Sequence, residues 1–165
     1  MSALSIPLSE SIATGLSIER FRFISKAKGL GDAMIDRLLL DKNRINAISK
    51  SLNEIAKWPD PVGKIIGKSK RPNGLEIQKV SVPIGVLLVI YESRPNVTTD
   101  ASALCLKSGN SVILKCGSES LNSSKALLDC IHMGLKKYKL PINCVQLLPT
   151  SSRKSVSSLL KMDEY

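Results

Sequence analysis

The chain has 165 residues, enough for one domain with a core of its own, and 43% hydrophobic residues with only 10 Gly and 8 Pro exclude disordered and collagen-like classes. Basic residues outnumber acidic ones 24 to 14, and the formal net charge of +10 attracts phosphate-bearing partners without naming one. Aromatic residues make up only 4%, too few for the stacking platforms that hold single-stranded nucleic acid.

Residues 1–28 are Ser-rich and weakly periodic and read as a leader, neither export signal nor transit peptide. Gly29-Leu30-Gly31 begins like a dinucleotide fingerprint, but Met34 stands where the third glycine belongs, and the stretch reads as a turn into a helix. Met34, Ile35, Leu38 and Leu39 continue with helical spacing, and Asp41 is placed to cap a second helix. That helix carries Ile45, Ile48, Leu52 and Ile55 on one face and is closed by Pro59 and Pro61. A basic stretch, 64–71, leads through Pro72-Asn73-Gly74 into the alternating residues 75–80, expected as a half-buried strand.

Residues 86–91 form a continuous apolar run rich in β-branched side chains, expected as a strand buried on both faces. A helix over 99–107, a Ser108-Gly109-Asn110 turn and a second strand at 112–114 follow. A longer helix is expected from near Ser118, with Leu121, Leu128, Ile131, Leu135 and Tyr138 on one face and Pro141 as its stop. A third strand at 144–148 and a last helix at 151–162 complete a β-α-β-α-β-α order, which implies a parallel sheet with helices on its faces. The fold class is therefore α/β, a partial Rossmann-like parallel sheet with N-terminal helices and a β-strand extension.

Four cysteines, at 105, 116, 130 and 144, and the single His132 show no zinc-site spacing. A domain of this size needs no disulfide staples, so reduced thiols in the cytoplasm are expected. His132 lies one position off an apolar helix face and reads as a boundary residue. No apolar run reaches membrane-spanning length. The segment Tyr91-Glu92-Ser93-Arg94-Pro95-Asn96-Val97-Thr98 is different, because it leaves the carboxyl end of a strand, where open parallel sheets bind ligands. It offers an acid, a guanidinium and a carboxamide; as a plain capped loop, Arg94 would pair with Glu92 and Asn96 or Thr98 would cap the next helix.

That segment, followed by Asp100-Ala101 and Leu104-Cys105-Leu106-Lys107-Ser108-Gly109-Asn110, closely resembles the γ-glutamyl phosphate reductase (glutamate-5-semialdehyde dehydrogenase) family of the aldehyde dehydrogenase superfamily. Gly29-Leu30, Met34-Ile35-Asp36-Arg37-Leu38, Asp60-Pro61-Val62-Gly63, Pro83-Ile84-Gly85-Val86 and Leu160-Lys161-Met162-Asp163-Glu164-Tyr165 extend the likeness over residues 29–165. The resemblance implies an oxidoreductase of proline biosynthesis that reduces γ-glutamyl phosphate to glutamate 5-semialdehyde with NADPH through a cysteine thioester. It divides the chain into a leader (1–28), a helical region with part of an oligomerisation β-extension (29–82) and the front half of an NADP-binding domain (83–165).

By the same resemblance Asn96 is the oxyanion donor and Arg94 a substrate contact, while Lys115, Gly117, Ser118 and Glu119 lie where the family meets the cofactor's adenosine side. Cys116 replaces the first glycine of the family's usual pair. The family's nucleophilic cysteine falls beyond the position matching Tyr165, and none of Cys105, Cys116, Cys130 or Cys144 corresponds to it. The expectation is a reductase-like fragment, inactive alone, that forms a homo-oligomer or joins a complementary chain. The alternative, a basic module for nucleic acid or another polyanion, rests on net charge alone and is disfavoured by the dispersion of the lysines.

Overall fold

The computed structural model describes residues 31–150 and 152–161, so the expected leader lies outside the described residues. Helix α1 (Asp32–Leu38) starts from Gly31, and α2 (Lys42–Lys57) starts from Asp41, whose carboxylate accepts the Arg44 backbone N–H at 2.7 Å. The cap satisfies one of the donors left open at a helix start. Ile45, Ile48, Leu52 and Ile55 are all buried, so the three-to-four spacing placed this face correctly.

A hairpin follows, β1 (Ile65–Lys70) paired antiparallel with β2 (Glu76–Val80). The alternation in 75–80 marked a strand, but half-burial was wrong: both strands are exposed along their whole length, because among the described residues nothing packs on either face. The partner strand β1 was hidden in what read as a basic stretch, since its Ile65, Ile66 and Gly67 precede charged residues and lack alternation.

Strands β3 (Val86–Ile90), β4 (Ser111–Lys115) and β5 (Val145–Leu147) form a parallel sheet in the order β3-β4-β5. Helix α3 (Pro95–Lys107) crosses from β3 to β4, and α4 (Leu121–Lys137) with a short 3-10 turn (Ile142–Cys144) from β4 to β5. Helix α5 (Arg153–Leu159) comes last; of the expected span 151–162, residues 151 and 162 fall outside the described residues. Helices α3 and α4 pack on each other and on the sheet, and α2 packs on α3. Val112, Leu114, Val145, Leu127, Ile131 and Leu135 form the core between them.

Two expectations change here. The 86–91 run is not buried on both faces: Leu87 and Val89 pack on the core, while Val86 and Ile90, pointing the other way, are 52% and 51% exposed. Continuous hydrophobicity marks a strand meant for cover on two sides, and within the described residues only one side has it. The long helix begins at Leu121, not Ser118, and its buried stripe runs through Ser124, Leu127, Cys130, Ile131 and Leu135, with Tyr138 exposed. It also ends before Pro141. Leu140 N–H returns to the Leu135 carbonyl at 2.9 Å and Lys139 N–H to that of Lys136 at 3.0 Å, a Schellman closure with Lys139 at φ 56°.

Helix α3 ends in the same way. Asn110 N–H meets the Cys105 carbonyl at 2.8 Å and Gly109 N–H that of Leu106 at 3.1 Å, with Gly109 at φ 73°. Buried Asn110 then accepts the N–H groups of Ile84 and Gly85 at 2.6 and 2.8 Å, which holds the start of β3 against the start of β4. Among the described residues no helix is long and apolar enough to cross a membrane.

Candidate functional site

Parallel strands β3 and β4 end side by side, and the loops that leave them make the crevice where open α/β sheets place ligands. The first loop, 91–94, turns directly into α3. Arg94 precedes a proline and is extended (φ −133°, ψ 88°), and Pro95 occupies the first helical turn, where its missing N–H costs nothing. Helix α3 therefore starts four residues earlier than the expected Thr99. Asn96 and Thr98 lie inside its first turn, not at its cap, and the backbone N–H of Arg94 bonds the Glu92 carbonyl at 2.8 Å.

Asn96 is exposed, with its carboxamide Nδ2 donating to Asp100 Oδ2 at 3.5 Å; the other oxygen of Asp100 accepts from Ser51 of α2 at 3.3 Å. Desolvation pushes the Asp100 carboxyl above its usual range, against the opposing pull of these two hydrogen bonds. Behind this rim the turn is rigid. Buried Thr98 shares a 2.6 Å hydrogen bond with the Tyr91 phenol, Thr99 donates to the Asn96 carbonyl at 2.7 Å, and Ser102 to that of Thr98 at 2.5 Å. Burial pushes the Tyr91 phenol up, so it stays neutral and available as a donor.

The second loop starts at Lys115, which is the last residue of β4, not a residue beyond it. Glu119 joins the loops: its Oε2 accepts from Ser93 at 3.2 Å and its Oε1 from Ser118 at 2.8 Å. Gly117 sits under this bridge, where an added Cβ would lie 2.9 Å from Glu119 Oε2 and 3.5 Å from Ser93 Oγ. A side chain there would have to displace the Glu119 carboxylate. Lys115, Ser118 and Glu119 place an ammonium, a hydroxyl and a carboxylate in the segment from the end of β4 to the start of α4.

None of the four cysteines is exposed. Cys105 and Cys130 are inside α3 and α4, where burial raises their thiols, Cys116 is buried after β4, and Cys144 is half-buried before β5. A buried protonated thiol is a poor nucleophile. His132 is the boundary residue expected: its Nε2 lies 2.8 Å from the Val145 carbonyl, linking α4 to β5.

The sequence reading missed the other wall of the Asn96 rim. Arg37 of α1 and Arg44 of α2 line a cleft of about 460 Å³ together with Glu92, Ser93, Arg94 and Asn96. A neighbouring cleft of about 420 Å³ shares Arg37, Arg44 and Asn96 and continues over Leu39, Leu40, Ile48 and Pro95 to Ser51 and Asp100. Arg37 and Asp100 both stood inside quoted stretches of sequence, but only the tertiary contact of α2 with α3 brings them together.

No family model matches the chain. It is 51% identical over 155 residues, 93% of its length, to the γ-glutamyl phosphate reductase of Rhodospirillum rubrum, of which the match covers 36%. The solved γ-glutamyl phosphate reductase of Thermotoga maritima superposes on the whole chain with a TM-score of 0.87 and 34% identity, covering 42% of that structure. A succinic semialdehyde dehydrogenase of Streptococcus pyogenes, solved with NADP+, shares the fold at a TM-score of 0.65 and 14% identity. In sequence and fold the chain matches the N-terminal part of γ-glutamyl phosphate reductase, and it spans about a third of the length of the curated relatives it matches.

Proposed function

We propose that these 165 residues supply the oxyanion and adenosine-side half of a γ-glutamyl phosphate reductase active site, whose nucleophilic cysteine is none of the four among them. The reaction is γ-glutamyl phosphate plus NADPH and a proton giving glutamate 5-semialdehyde, phosphate and NADP+. The observation that carries the reading is Asn96, exposed in the first turn of α3 at the carboxyl end of β3, within the segment that matches the reductases.

One carboxamide N–H of Asn96 is held by Asp100, which leaves the other to meet negative charge developing on the acyl oxygen. Arg94, on the adjacent loop, contacts the anionic substrate. Lys115, Ser118 and Glu119, with Gly117 setting the turn, hold the adenosine side of NADP, which when bound supplies the hydride. The exposed cysteine this chemistry needs is not among the four present. Free thiols are also consistent with the cytoplasm. The polyanion-binding alternative gains no support from the relatives found.

The experiment is reconstitution. These 165 residues alone should show no NADP reduction from glutamate semialdehyde and phosphate; completed with the remainder of a reductase, on the same or a second polypeptide, they should, and Asn96→Ala should abolish that rate. Turnover by these residues alone overturns the absence of a nucleophile among them, and a stable completed assembly with no turnover overturns the reductase reading.

A further inference from the structure

Arginine side chains from three separate segments line the cleft beside Asn96: Arg37 from α1, Arg44 from α2 and Arg94 from the loop before α3. Three guanidinium groups face one lining carboxylate, Glu92. Arg44 is fixed in the wall. It donates to the carbonyls of Asp36 and Leu39, the latter at 2.9 Å, and pairs with the Asp36 carboxylate at 3.0 Å. Asp36 offsets part of that charge, so the positive excess rests on Arg37 and Arg94, which are both exposed. Asn96 lines both this cleft and the more apolar one beside it, so the two meet at its carboxamide.

We infer that this cleft is an oxyanion-recognition site, in which Arg37 and Arg94 grip a phosphoryl or carboxylate group while Arg44, paired with Asp36, ties α1 to α2 in its wall. Planar guanidinium forks match both groups in two-point contacts. An acyl phosphate bound this way sets its phosphoryl group beside Asn96, with one bridging oxygen between phosphorus and the acyl carbon; a free carboxylate end reaches the same arginines through the carbon chain. Naming the bound anion as the substrate's rests on the reductase reading, whereas the site itself rests on the cleft alone.

The test reads binding, not turnover, so its failure leaves the reductase reading to stand or fall on reconstitution. Inorganic phosphate and L-glutamate are titrated separately into the full chain at fixed ionic strength, with chloride as reference, while NMR follows the backbone amides of Glu92, Ser93, Arg94, Asn96 and Val97 and the Asn96 side-chain amide. Saturable shifts with either anion are expected, those with phosphate alone marking a phosphoryl site and those with glutamate alone a carboxylate site. Arg37→Gln or Arg94→Gln should weaken that binding at least fivefold, with core amides unmoved as the check on folding, and Lys68→Gln on the distant hairpin should leave it unchanged. Shifts no different from chloride, or an affinity unaltered in both arginine variants, overturn the inference.

Discussion

Ser93 donates to the Glu119 carboxylate at 3.2 Å, joining the loop after β3 to the loop after β4 across the mouth of the sheet. Gly117 leaves room for that bond, since a Cβ there would press within 2.9 Å of the same oxygen. Gly117→Ala should therefore destabilise the chain by about 1 kcal/mol, through displacement of the carboxylate. In a Glu119→Ala background the cost should shrink by at least about 0.5 kcal/mol, because the obstacle has gone. A double-mutant cycle by urea denaturation measures this, and strict additivity would show that the two residues do not share the strain.

The two Schellman closures differ in the residue placed at positive φ, and opposite outcomes follow. Gly109 lies at φ 73° with an ideal Cβ only 2.9 Å from Pro83 Cγ, so Gly109→Ala meets both backbone strain and a clash and should cost about 2 kcal/mol. Lys139 holds the same conformation, φ 56°, on an exposed surface. Lys139→Gly removes that strain at a smaller entropic cost and should raise stability by about 0.5 kcal/mol. Denaturation midpoints check both; a loss of stability in Lys139→Gly contradicts the account.

The parts legible in the sequence were those where one physical signal dominated. The Asp41 cap, the apolar face of α2 and the β-α-β-α-β-α alternation are all local, and each appears in the structure. What failed was nonlocal. Burial of β2 and of both faces of β3 depends on neighbours that periodicity cannot count. The start of α3 was set late because Pro95 reads as a breaker, although at the first turn proline is favoured. The Asn96 segment stood out by its chemistry and its place after a strand; Arg37, Arg44 and Asp100 carried no signal of their own and met it only through packing.

Asp100 gives a pH prediction. Desolvation raises its folded-state pKa above the ordinary 3.8, so in the window just above that value the native state holds more protons than the unfolded chain. This carboxyl's contribution to stability is then fullest below pH 3.8 and is lost as pH rises through the folded-state pKa. Asp100→Asn removes the titration and keeps the shape. Urea denaturation of both proteins from pH 3.5 to 7, as ~half-unit steps, should show the wild type losing ground to Asp100→Asn as pH rises. The reverse trend would mean that the hydrogen bonds from Ser51 and Asn96 outweigh desolvation.

Cofactor affinity should be weak in the isolated chain. In the proposed assignment Lys115, Ser118 and the start of α4 are the anion contacts on the adenosine side, and each ~1.4 kcal/mol of missing contact lowers affinity tenfold. Calorimetry should give NADPH binding no tighter than about millimolar, weakened further in Lys115→Ala. Micromolar binding indifferent to Lys115→Ala would show the assignment of these residues to be wrong.

Association is the expectation that follows from the uncovered side of the sheet. Val86 and Ile90 expose about half their surface on the face away from α3 and α4, Val82 and Ile84 just before β3 are 71% and 80% exposed, and the hairpin adds Ile65, Ile66 and Ile77. Strand β3 is also an edge of the three-stranded sheet, with one side lacking a partner strand among the described residues. Open edges template pairing, and contiguous apolar patches drive contact between chains. Self-association at micromolar concentration should therefore appear in sedimentation. Ile90→Lys, which charges the open face without touching the core packing of Leu87 and Val89, should shift the chain toward monomer while leaving its circular dichroism unchanged. A wild-type chain that sediments as one monodisperse monomer and melts in a single sharp transition at high temperature would mean that this face needs no cover, and the association argued from it would fall.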